Sequence, residues 1–212
     1  MSRFKPDLLR SMLLTFALYF AFRGQLHLLQ EATFYHLSQA GFWTVLGVTP
    51  LLLGYNAYRH WVGAFELPDL HTDLPYLLHP RRQWLVLLLM PLLVFVEEFL
   101  FRVCLLGSLQ ALTGTLMALV ISALLFVVAH EQPLRLNRSN GILLLYGLVF
   151  GAVYILSGAS FMAAFLVHLA VNVYAWVINA QLIRRAGGDL LPLRLAYLKR
   201  ILPWPQEKWL RS

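Results

Sequence analysis

Residues 84–106 read WLVLLLMPLLVFVEEFLFRVCLL, apolar throughout except for Glu97, Glu98 and Arg102. A bilayer-spanning helix needs about 20 mostly apolar residues, and this run is long enough. Each charge at mid-bilayer costs roughly 2.5–3.5 kcal/mol on insertion scales, so three in one segment need a reason. Five further apolar segments lie at residues 8–28, 41–58, 115–130, 141–156 and 160–180. The first begins from a basic N-terminus but is followed by RGQLHLLQ rather than a small-residue cleavage site, so it reads as a retained helix.

Only 13% of the 212 residues are charged, against roughly 25% in a soluble domain, and 59% are hydrophobic. The expected fold is therefore all-α: a polytopic membrane protein of about six transmembrane helices in one bundle, with an intramembrane polar cavity. The net charge of +7 does not point to nucleic acid, because its carriers fall between the apolar segments. Except for Arg23 and Arg102, all 17 Lys and Arg residues lie in the N-terminal tail, the 59–82 and 131–140 connections or the C-terminal tail. The connections at 30–40, 107–114 and 157–159 carry none. This alternation predicts both termini in the cytoplasm. The whole chain reads as one membrane domain, 1–212, with a core at 84–180. After the GGD break, residues 187–212 mix Leu and Ile with Arg194, Lys199 and Arg200, as in a basic amphipathic cytoplasmic tail on the inner membrane surface. A single cysteine, Cys104, leaves no disulfide and no thiolate cluster.

The intramembrane polar residues form a pattern. On a helix Glu98 and Arg102 share a face at i, i+4, so they can neutralise each other. Glu97 is about 100° round the helix and points elsewhere. The fourth segment ends LLFVVAH, with Phe126 one turn before His130; the sixth holds His168 and Asn172 on one face. Ionisable groups inside a membrane usually face a bundle interior or a wet cavity, and one shared cavity accommodates them all. A carboxylate can act as general base toward water, an imidazole can polarise it, and a carboxamide N–H can stabilise an oxyanion. There is no Ser–His–Asp pattern and no HExxH, so the set fits hydrolysis by an activated water better than covalent catalysis. The structural alternatives are an ion pair for Glu98–Arg102, an interfacial His130 and an interhelical His168–Asn172 pair. His27, His36, His60, His71 and His79 fall near interfaces or in connections.

Taken in order, EExxxR at 97–102, FxxxH at 126–130 and HxxxN at 168–172 resemble the CPBP intramembrane proteases. That family comprises the type II CAAX prenyl endopeptidases and the bacteriocin-processing and self-immunity proteins also called Abi. The resemblance covers about residues 84–180. It implies an intramembrane endopeptidase of the prokaryotic branch, in a bacterial cytoplasmic membrane, acting on a membrane-associated protein or peptide. Glu97 would activate water, His130 and His168 would assist proton transfer and polarisation, and Asn172 would stabilise the oxyanion. Glu98 and Arg102 would support the site. No cofactor is expected; the alternative is a divalent metal such as zinc on Glu97, His130 and His168. Other readings are an inactive immunity or scaffold protein that binds a peptide or partner, and a small proton-linked carrier.

One expectation conflicts with this set. Measured from the cytoplasmic helix ends, Glu97 lies about 20 Å deep and His168 about 18 Å. His130 falls near the surface, so a shared site requires the fourth helix to be tilted, displaced or longer.

Overall fold

The computed structural model describes residues 35–61, 80–130 and 138–185, and all regular structure in them is helical. Helix α1 spans Gln39–Trp61 and α2 spans Pro80–Glu98. The rod continues without a break as a π-helical segment, Phe99–Leu106, and a short α3, Gly107–Thr113. Then follow α4 (Thr115–His130), α5 (Arg138–Leu156) and α6 (Phe161–Arg185). The segment expected at 8–28 and the tail at 187–212 lie outside the described residues.

Two corners set the arrangement. At Gly114 the backbone takes φ +79°, a conformation that costs glycine little, and the chain reverses from α3 into α4. Between α5 and α6, Gly158 (φ +72°) closes a Schellman turn. Its N–H donates to the Ile155 carbonyl, and that of Ala159 donates to the Tyr154 carbonyl. Ser160 then caps α6 by accepting from the Ala163 N–H, as Ser38 caps α1 by accepting from Gly41. The Ser38 hydroxyl also donates to the Ser157 carbonyl at 3.1 Å, tying the start of α1 to the α5–α6 corner.

Helix α6 packs against α1, α2 and α5, and α4 packs against α5. The last pair meets closely: a Cβ on Gly147 would sit 3.1 Å from Ala123 Cα. Small residues at such crossings are how helices approach where no hydrophobic effect drives them together. The polarity of the fold is inverted relative to a water-soluble one. Glu98, Arg102 and Ser122 are fully buried, whereas Leu88 and Leu116 are 76% exposed and Leu112 is 81% exposed. That distribution suits an apolar solvent outside. Residues 161–178 of α6 are long and apolar enough to cross a membrane, while 115–130 and 140–156 are shorter apolar helices.

The sequence placed a connection at 107–114. Instead Gly107–Thr113 is helical, and the rod turns at Gly114. This removes the depth conflict. Glu97 and His130 lie almost equally far from Gly114 along the chain, on its two sides. Measured from that corner they are level, and His130 Nε2 is 3.6 Å from Glu97 Oε2. Counting from the cytoplasmic ends used helix boundaries unrelated to the corner that joins the two arms.

Candidate active site

The site begins where α2 passes into the π segment. A π turn holds more residues than an α turn, and its i→i+5 bond appears where the Gly107 N–H donates to the Arg102 carbonyl. Glu97 and Glu98, at the end of α2, point in different directions as their 100° offset requires.

Glu98 is fully buried between two cationic or donor groups. Its Oε2 accepts from Arg102 Nε at 3.2 Å, and its Oε1 accepts from His168 Nδ1 at 2.8 Å. The i, i+4 pair with Arg102 was readable from spacing. The bond to His168, from a helix far along the chain, was not. With its proton on Nδ1, His168 presents a lone pair at Nε2, which accepts from Asn172 Nδ2 at 3.2 Å. Glu98 therefore does more than support the site: it fixes the tautomer of His168, and His168 in turn orients the Asn172 amide.

Glu97 faces the other edge of the cluster. Its Oε2 lies 3.6 Å from His130 Nε2 and 3.8 Å from His168 Nε2. Glu97 and His130 keep 33% and 24% side-chain exposure, whereas His168 keeps 5%, so the first two are the groups an incoming molecule can reach. His130 Nδ1 donates to the Phe126 carbonyl at 2.8 Å. That bond places its lone pair on Nε2, toward Glu97. The four residues expected to act together, Glu97, His130, His168 and Asn172, are thus brought together.

The face of α4 that carries His130 begins two turns earlier. Ser122 Oγ accepts from Arg102 Nη1 at 3.4 Å and donates to the Phe101 carbonyl at 3.0 Å. The Phe126 ring lies 5.1 Å from the Arg102 guanidinium carbon and 4.2 Å from the His130 ring. Arg102 Nη2 is buried without a hydrogen-bond partner among the described residues, so Phe126 and Ser122 are the groups of α4 that hold this cation. Ser122 was missed in the sequence. Its signal was present: a polar residue in an apolar helix, at i−4 from Phe126 and i−8 from His130. Ser122→Ala removes the acceptor of Nη1 and the donor to Phe101 together. It is expected to lower stability by about 1–3 kcal/mol, read as an earlier thermal unfolding transition in detergent. An unchanged transition would show that Ser122 contributes nothing.

A metal alternative requires three donors converging on one point. Among the described residues, no group of three or more His, Cys, Asp or Glu side chains is arranged to hold a metal ion. At His168 both ring nitrogens are engaged, by Glu98 and by Asn172. With His168 engaged in this way, no chemical step is derived through a metal.

Comparison with known proteins falls on the same segment. Residues 80–174 match the family described as type II CAAX prenyl endopeptidase Rce1-like. Neither a curated protein nor a solved structure matches the chain. The match opens with the first residue of α2 and closes just beyond Asn172, so it contains every residue of the cluster. The family is one of membrane-associated proteases. This segment, a little under half of the chain, is thus similar to the Rce1-like, type II CAAX prenyl endopeptidase family.

Proposed function

We propose that the protein is an intramembrane endopeptidase that hydrolyses a peptide bond of a membrane-associated protein by a water activated at Glu97. The observation that carries this reading is the approach of Glu97 Oε2 to two imidazole Nε2 atoms at 3.6 and 3.8 Å. A water at an ordinary hydrogen-bond distance of about 2.8 Å from Glu97 also reaches His130 Nε2. Both are acceptors, so such a water gives each a hydrogen and turns an oxygen lone pair outward.

Attack forms the new C–O bond as Glu97 takes a proton from the water. The carbonyl oxygen becomes an oxyanion beside Asn172, whose amide has one N–H on His168 and a second to donate. Collapse breaks the C–N bond, and Glu97 returns its proton to the leaving amine. Glu98 and Arg102 stay out of the proton transfers and hold His168 in its Nδ1–H form. This order uses every group in the cluster and needs no covalent intermediate.

The surrounding reading keeps six spans with both termini in the cytoplasm of a bacterium. The substrate is a bacteriocin-like peptide, a sorting tag or another membrane protein rather than necessarily a prenylated CAAX chain. The alternative of a non-catalytic immunity or scaffold protein makes the opposite prediction for Glu97. Comparing the protein termini of membranes that contain the wild type with those that contain Glu97→Ala is expected to reveal new termini only with the wild type. Identical sets of termini at equal accumulation would favour the binder. Processing that stops with a chelator and returns specifically with zinc would overturn the metal-free order of steps.

A further inference from the structure

His168 is held at both edges by Glu98 and Asn172; its face is held by a different set of residues. The Phe150 ring lies nearly flat on the imidazole, with centres 4.4 Å apart and planes at 21°. Tyr146, one turn earlier on α5, stacks on Phe150 at 5.7 Å and 13°. The Tyr146 hydroxyl donates to Asn56 Oδ1 of α1 at 2.6 Å. Asn56 is 3% exposed and Phe150 is 1% exposed. These contacts make a continuous column from α1 through α5 to the imidazole on α6. Its outer end, Asn56, lies outside the segment that matches the family.

We propose that Asn56 is a positioning residue for His168, acting through Tyr146 and Phe150. The proposal deepens the role given to His168 above and rests on it. A buried amide in an apolar helix is costly unless hydrogen-bonded, and an apolar residue would let α1 pack on α5 without that cost. The bond supplies direction instead. It fixes where the Tyr146 ring sits along α5, which an apolar contact would leave free to slide. Tyr146 sets Phe150, and Phe150 sets the plane of the imidazole. Only in that plane can Nδ1 meet Glu98 at 2.8 Å while Nε2 receives Asn172 at 3.2 Å. The charged groups paired with His168 are Glu98 at 2.8 Å and Glu97 at 3.8 Å; the one titratable group of the column, the Tyr146 phenol, donates to Asn56 rather than to His168. Its effect is therefore on orientation and tautomer, not on local charge.

The test uses the full chain labelled with 15N-histidine in lipid nanodiscs, with the His168 signals assigned by their loss in His168→Gln. The wild type is expected to show the Nδ1–H tautomer. In Asn56→Leu and Tyr146→Phe, the ratio of that tautomer to the Nε2–H form is expected to fall about fivefold, the scale of one net hydrogen bond. Ser38→Ala is the control. It removes a bond of α1 to the α5–α6 corner, away from the column, and should leave the ratio unchanged even if unfolding comes earlier. If Asn56→Leu does not fold, Tyr146→Phe decides alone. An unchanged ratio in the folded variants, or an equal fall in Ser38→Ala, overturns the proposal. The measurement needs no turnover. Identical membrane termini with Glu97→Ala would sink the protease reading while leaving this result intact.

Discussion

Glu97→Gln is expected to cut turnover by about 10²–10⁴-fold, the usual contribution of a positioned general base, with little change in accumulation or unfolding temperature. The glutamine is nearly isosteric and one-third exposed, like the glutamate it replaces, so packing gives no reason for loss of fold. What disappears is the acceptor that takes a proton from water. An amide oxygen still accepts a hydrogen bond, but it does not carry the proton to the leaving amine. The measurement is the rate of substrate-terminus formation by purified wild type and variant in the same lipid. Turnover within about threefold of the wild type would remove Glu97 from the chemistry, since a base contributes far more than that.

Arg102→Leu is expected to have the largest effect on stability, about 3–5 kcal/mol of destabilisation. The substitution leaves the fully buried Glu98 with only His168 as partner and strips Ser122 and Phe126 of the cation they hold. A buried charge without its counterion must either stay unpaired or take up a proton, and both weaken the fold. The double substitution Glu98→Leu with Arg102→Leu separates the two roles of the pair. Removing both charges is expected to recover most of the lost stability, because a buried pair replaced by apolar side chains is often neutral. Activity should not return, because His168 Nδ1 then has no carboxylate and its tautomer is no longer fixed. Thermal unfolding in detergent reads the first effect and turnover the second. Equal stability of Arg102→Leu and the wild type would mean that the pair contributes nothing to the fold.

How much of this was legible varies from residue to residue. The helix at Thr115–His130 was read with its exact bounds because Gly114 precedes it and the apolar run stops at His130. The Glu98–Arg102 pair was legible because i, i+4 spacing is a local property. By contrast, Gly107–Thr113 was read as a connection. Its sequence, GSLQALT, is polar enough to resemble a loop, yet the helix continues from the π segment into the Gly114 corner. The π segment left no trace in spacing, because a wider turn still allows an i, i+4 contact. The Glu98–His168 bond and the Phe150 stack depend on helices distant in sequence. Phe150 in particular looks like any other phenylalanine of an apolar helix. Pattern picked out residues that the fold brings together; only tertiary placement assigned the tautomer of His168.

The corner at Gly114 has a consequence for how such chains can vary. Its two arms behave like a folded ruler, in which Glu97 and His130 are matching graduations. Adding or deleting one residue within Gly107–Thr113 turns everything before it by about 100° relative to α4 and separates the graduations. A compensating change in the other arm restores them. So does a local widening of the helix that absorbs the extra residue, which is what a π turn is. Variation in length between this corner and the site should therefore come in matched pairs or as altered π turns.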